Sequence, residues 1–254
     1  MKIGLCLGGG GALGFAHIGV LHALQERGVE ATHVSGASMG AIVGALYAAS
    51  YNWQEISDFI IRYKMDSLRN IVKINVGNTS LVSQERVREM LLDVIPHNRF
   101  EELSKKFYLS VVEVKSAQWE IISEGDKLVD YISASMAVPF VFKPELIGEK
   151  VYIDGGLMNN LPVEPLAGVC DSIIAVDVQA PVDPTITLTR KNFAVRCYNI
   201  MQKEMQHERA KMANHYITMP ELEQYNPTDF KKYKEIVEIG YRSTLEYFNK
   251  IDGK

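Results

Sequence analysis

Apolar positions along the chain follow two periods. Short segments that are almost continuously apolar, at 2–7, 32–34, 107–114, 118–123, 149–153 and 173–178, read as strands. Longer segments with apolar residues three and four apart read as helices: 15–27, 39–49, 53–65, 84–92, 127–136, 191–212 and 229–249. The first helix carries Phe15, Ile18, Leu21 and Leu24 on one stripe and closes at Gly28, a residue suited to a C-cap. In 191–212 the stripe is Val195, Tyr198, Met201 and Met205; the plain expectation is core packing, and the functional alternative is a cover over a cleft. Residues 66–83 lack periodicity and read as a surface loop, with a pocket rim or flap as the functional alternative. The alternation of strands and helices predicts an α/β fold.

Two of the strand-to-helix junctions are crowded with glycine. The first strand runs into Gly8-Gly9-Gly10-Gly11-Ala12-Leu13-Gly14 and then a helix. Successive glycine N–H groups at a helix start can converge on one oxygen, so this loop is either a phosphate cradle or an oxyanion hole. The second junction is Gly36-Ala37-Ser38-Met39-Gly40. A strand, a sharp turn and a helix bring backbones so close that the positions two before and two after the serine must be small, and Gly36 and Gly40 occupy them. The helix start beneath Ser38 supplies N–H groups and a partial positive charge to any anion formed there.

A third glycine turn supplies a carboxylate. Asp154 ends the strand at 149–153 and is followed by Gly155 and Gly156. Asp-Gly is a common turn pair, and G-x-S-x-G is short enough to arise by chance, so neither motif decides alone. Gly9, Gly11 and Gly14 also fit the G-x-G-x-x-G dinucleotide fingerprint, which requires an acidic residue at the end of the second strand. Glu30 has nearly the right count but precedes that strand, and the strand's end delivers Ser38 instead. A Ser, Asp and His triad on an α/β-hydrolase fold would need more strands before the serine, and only His207 and His215 follow Asp154. His17, His22, His33 and His97 read as helix-face or loop residues, with His17 expected to pack or to bond locally beside the glycine loop.

The glycine loop followed by His17-Ile18-Gly19-Val20-Leu21, the serine turn, the block Ser133-Ala134-Ser135-Met136-Ala137-Val138-Pro139-Phe140, Asp154-Gly155-Gly156 and the strand Ile173-Ile174-Ala175-Val176-Asp177-Val178 occur in one order. In that order, almost end to end, the chain resembles the patatin-like phospholipases, serine acyl hydrolases that use a Ser-Asp dyad. The resemblance implies a three-layer α/β/α sandwich around a mostly parallel central sheet, spanning residues 1–254 as one domain. It implies Ser38 as nucleophile and Asp154 as its proton acceptor. It further implies an oxyanion hole from the N–H groups of Gly9, Gly10, Gly11 and Ala12, with no metal and no cofactor. An ordinary carboxylate is a weak base at neutral pH, so the site is expected to be dry enough to raise the Asp154 pKa. One departure is Leu13, where the family usually carries Arg or Lys. A regulatory relative with a relic site is the competing expectation, and the intact Ser38, Asp154 and glycine motifs oppose it. The expected substrate is a lipid or other acyl ester, and an acyl-enzyme could pass its acyl group to an alcohol as well as to water.

Composition narrows the partners. With 254 residues and 47% hydrophobic content the chain can bury a substantial core, while a net charge of −4 and scattered lysines such as Lys2, Lys64, Lys105 and Lys106 give no basic patch for nucleic acid. Cys6, Cys170 and Cys197 lack metal spacing and, as an odd set, suit reduced thiols in a cytoplasmic chain. The apolar start is too short for a secretory h-region and no segment spans a bilayer. The expected location is cytoplasmic, with peripheral contact where the lipid substrate lies.

Overall fold

The computed structural model describes residues 1–63, 84–139, 141–179 and 190–253. The region 66–83, expected to be a loop or pocket rim, lies outside the described residues. The strands are β1 (Ile3–Leu7), β2 (His33–Gly36), β3 (Lys106–Glu113), β4 (Gln118–Ile122), β5 (Glu145–Ile147), β6 (Lys150–Asp154), β7 (Ser172–Asp177) and β8 (His215–Thr218). The helices are α1 (Ala16–Glu26), α2 (Met39–Ala48), α3 (Trp53–Arg62), α4 (Glu85–Val94), α5 (Leu128–Ser135), α6 (Arg190–Ala210) and α7 (Tyr233–Ile251). They form a three-layer α/β/α arrangement around one mixed sheet of order β5-β6-β3-β2-β1-β7-β8, with β4 also paired to β3.

The core of the sheet is parallel: β1 lies between β2 and β7, β3 pairs with β2, and β8 pairs with β7. Side chains alternate across it. Leu5, Leu7, Val34, Leu109, Ile174 and Val176 join the larger core, which also takes in buried residues of α1, α2 and α7. Cys6, Ile173 and Ala175 face a smaller cluster closed by Leu161, Val163 and Leu166. That both faces are covered explains why β1 and β7 read as continuous apolar runs.

The register of β3 places the site. β4 pairs with residues 109–113 of β3 and β6 pairs with 111–113, so these two strands take opposite edges. β2 pairs with 106–109, and Leu109 is shared with β4, so β2 lies on the same edge as β6. β6 is antiparallel to β3 whereas β2 is parallel, so the C-terminal tips of β2 and β6 point at each other along one edge. Gly36 sits opposite Leu109, Asp154 sits opposite Val111, and Ser110 lies between.

Several expected boundaries shift by a few residues. The glycine loop makes a 3₁₀ turn (Gly11–Phe15) before α1 begins at Ala16. β5 and β8 were not expected, and His215 lies in β8. One residue of the stripe assigned to α6 departs from the expected inner face. Met201 is 55% exposed, and the buried residues of this helix include Gln202 and Gln206. The last helix packs on α1. No helix among the described residues is long and apolar enough to cross a membrane.

Candidate active site

At the end of β2 the chain reverses through Ala37 and Ser38 into α2. Ser38 has φ 52° and ψ −125°, a left-handed conformation that a non-glycine residue adopts only where its surroundings over-determine it. The surroundings do so here. A Cβ on Gly36 would come within 2.6 Å of the Gly40 carbonyl oxygen, and one on Gly40 would strike the Leu7 and Gly8 carbonyls. Ala37 N–H donates to Leu7 C=O (3.3 Å) and Ser38 N–H to Ser135 Oγ (2.9 Å). The serine therefore stands on a backbone crossing that tolerates no side chain at either flank.

Asp154 arrives from the facing strand tip. Its N–H donates to Ala137 C=O (3.1 Å), and its Oδ1 accepts the Gly156 N–H (2.7 Å). The Ser38 side chain lies beside the same carboxylate and pulls its pKa down. Asp154 is 2% exposed and Ser38 8%, so the carboxylate is sealed and the hydroxyl only grazes solvent. Burial pushes the Asp154 carboxyl up to about 7, against the opposing pull of the Gly156 N–H and the Ser38 hydroxyl. This matches the dry site expected from the sequence. A carboxyl titrating near neutrality beside a serine hydroxyl can take and return a proton at physiological pH.

The glycine loop closes the third side. Of the four N–H groups expected to bind an oxyanion, two are already engaged: Gly9 N–H donates to Asn160 C=O (3.1 Å) and Ala12 N–H to Pro227 C=O (2.8 Å). That corrects the expected donor set. Gly10 and Gly11 remain, with no acceptor for their N–H groups among the described residues. Gly11 has φ +57°, where a side chain would also meet the Pro227 carbonyl. Leu13, at the position where a cation was expected, is 2% exposed and belongs to the core, with its N–H on Gly10 C=O (3.1 Å). Gly14 makes room for the Met39 side chain at the start of α2. Gly155 lies directly on Ser110, and a Cβ on Gly156 would come within 2.6 Å of Asn160 Oδ1.

Three polar side chains that the motifs did not reveal as site residues hold this arrangement. Asn160 donates from Nδ2 to Gly9 C=O (2.9 Å) while its backbone accepts from Gly9, locking the glycine loop to the turn after Asp154. Ser135 joins Ser38 to Ser110, and Gln202 of α6 donates to Gly156 C=O (2.8 Å). The alternative candidates lie elsewhere. Glu30 pairs with Lys105 (2.7 Å) on the surface before β2. His17 is buried with Nε2 on Gly8 C=O (2.7 Å), and burial lowers its pKa to about 4, so it is neutral and committed to the backbone. Neither Ser38 nor Asp154 has a histidine partner among the described residues.

A model of the patatin-like phospholipase family matches residues 5–167. An uncharacterised NTE family protein of Mycobacterium tuberculosis is 30% identical over 206 residues, covering 77% of this chain and 56% of the relative. Lysophospholipase NTE1 of Kluyveromyces lactis is 28% identical over 281 residues, 99% of this chain and 19% of that protein. The chain thus spans about half of the mycobacterial relative and about a fifth of the yeast one. Among solved structures, VipD from Legionella pneumophila superposes with a TM-score of 0.60 at 18% identity, over 98% of this chain and 66% of that one.

Proposed function

The chain belongs to the patatin-like phospholipase family, and on that premise we propose that it is a serine acyl hydrolase of lipid esters in which Ser38 is the nucleophile and Asp154 the only general base. The observation that carries the reading is the placement of Ser38 and the buried Asp154 at the facing tips of β2 and β6, with burial pushing the Asp154 carboxyl up to about 7, which suits proton transfer. The NTE relatives, one of them named a lysophospholipase, add support for a lipid ester as substrate.

In this mechanism Ser38 Oγ attacks the ester carbonyl carbon as its proton passes to Asp154. The carbonyl π bond opens, and the oxyanion is met by the N–H groups of Gly10 and Gly11 and by the positive end of α2. Collapse expels the alkoxide, which takes the proton from Asp154 and leaves as the alcohol, with the acyl group on Ser38. Water then gives a proton to Asp154 as its oxygen attacks the acyl carbon. Collapse of that second adduct releases the acid and returns the proton to Ser38 Oγ.

The test is covalent labelling by a fluorophosphonate, read by intact mass, beside hydrolysis of short and long p-nitrophenyl esters. Ser38→Ala is expected to abolish labelling and to lower turnover by at least about 10³-fold. Adding acceptor alcohols to the same assay separates transfer from hydrolysis. A folded wild type that is neither labelled nor active would instead fit a family member with a relic site.

A further inference from the structure

The stretch Ser133–Pro139 runs from the end of α5 into the connection that leads to β5, and two of its residues touch the two members of the dyad separately. Ser135 Oγ donates to the Ser110 carbonyl (2.8 Å) and accepts the Ser38 N–H (2.9 Å). The roles are fixed by chemistry: a carbonyl only accepts, so the hydroxyl's single proton is committed to Ser110 and a lone pair faces Ser38. Two residues on, Ala137 C=O accepts the Asp154 N–H (3.1 Å). Ser135 and Ala137 are fully buried. Ser110, the third point, is the β3 residue left between the tips of β2 and β6.

One stretch of three residues is therefore tied to the backbone of Ser38, to the backbone of Asp154 and to the strand that spaces them. Ser38 needs such a tie, because its φ of 52° persists only if neighbours hold it there. Its side chain cannot contribute, being directed to Asp154. An alanine at 135 would leave the Ser38 N–H and the Ser110 carbonyl unpaired in a dry site, and the turn could relax to recover a partner.

We propose that Ser135 is a positioning residue that, with the Ala137 carbonyl, sets the spacing and orientation of Ser38 against Asp154; the proposal rests on reading those two residues as nucleophile and base. The test compares Ser135→Ala, Ser135→Thr and Ser133→Ala with the wild type, measuring kcat, KM, the fluorophosphonate labelling rate and thermal stability. Ser133 is the control because it is a fully buried hydroxyl of the same helix whose bond goes to Glu145 (2.7 Å), away from the serine turn. Ser135→Ala is expected to lower kcat and the labelling rate together by roughly 10- to 100-fold with KM little changed, the scale of a misplaced reacting group. Ser135→Thr, which keeps the hydroxyl, should recover most of the loss, and Ser133→Ala should leave kcat per folded molecule intact. If the alanine variant does not fold, Ser135→Cys, close in shape and only a weak acceptor, carries the same comparison. An active wild type with Ser135→Ala within about twofold of it in kcat, or with Ser133→Ala equally impaired, overturns the proposal alone. A wild type that is neither labelled nor active overturns the dyad, and the proposal with it.

Discussion

Asp154 and Asp177 each end a strand, each is buried, and burial raises both carboxyls above the usual range, yet only one of them faces a serine. Asp154 ends β6, whose antiparallel course along β3 turns its tip back towards β2 and Ser38. Asp177 ends β7, a parallel neighbour of β1. It is two residues beyond Ala175, which lies on the smaller face of the sheet, and accepts from Tyr216 Oη (2.7 Å) and Gln179 N–H (2.9 Å), with the Lys203 charge nearby. Desolvation raises a carboxyl pKa wherever it occurs. A base also needs a proton donor whose loss of that proton does chemistry, and here strand direction decides which aspartate has one.

The comparison breaks most directly by mutation. Asp154→Asn should lower kcat by on the order of 10² to 10⁴-fold, the usual span for a general base, while Asp177→Asn should stay within about threefold of wild type. Comparable losses in both variants, measured on p-nitrophenyl esters with folded protein, would end the distinction. Next in size is the pH profile of kcat/KM. Asp154 must be ionised to accept the Ser38 proton, so activity should rise with pH through a midpoint of about 7 and fall about tenfold per unit below it. Asp177→Asn should leave that midpoint in place.

Stability gives the third contrast. The folded carboxyl of Asp154, at about 7, lies above the ordinary value near 4. A raised pKa means that the native state favours the protonated form, so this residue's contribution is fully present below about pH 4 and is lost as pH rises through about 7. An asparagine at this position would stay neutral throughout and can still accept the Gly156 N–H. Asp154→Asn should therefore gain stability over wild type across that window, reaching a few kcal/mol above pH 7. Urea titrations at pH 5 and pH 8 check it; a difference that does not grow with pH would show that Asp154 is not held near neutrality.

Much of the site was legible because close backbone approach excludes side chains, and that exclusion is written as glycine. Gly36 and Gly40 mark the crossing under Ser38, and Gly155 and Gly156 mark the turn pressed onto Ser110 and Asn160. The strands were legible where both faces are buried, as in β1 and β7, while the short β5 and β8 were missed. What periodicity did not carry is hydrogen bonding between a polar side chain and a distant backbone. Ser135 reaches Ser38 across 97 positions and Asn160 reaches Gly9 across 151, and nothing in the local pattern signals either partner. The same limit shows in α6, where Met201 of the expected stripe is exposed while Gln202 is buried and bonds the Gly156 carbonyl. Likewise, the resemblance implied four N–H donors in the first loop, while those of Gly9 and Ala12 are spent on carbonyls remote in sequence.

The finest test concerns whether the two aspartates are independent, because a chain of hydrogen bonds joins them. Gln179 N–H holds Asp177, its side chain donates to Gln202 Oε1, Gln202 holds Gly156 C=O, and Gly156 N–H holds Asp154. Tyr216→Phe probes this link from its far end. It removes the phenol from Asp177 Oδ2 and should cost about 1–2 kcal/mol of stability, as a buried acceptor losing one partner does. That bond favours the ionised carboxylate, so the cost should be larger at pH 8 than at pH 5. If the chain only fixes backbone, kcat and its pH midpoint stay within about twofold and a few tenths of a unit, since the links to Asp154 pass through amides that do not titrate. A midpoint displaced by half a unit or more in Tyr216→Phe would mean that the charge on Asp177 is felt at Asp154, and the two carboxyls would then have to be treated as one coupled pair.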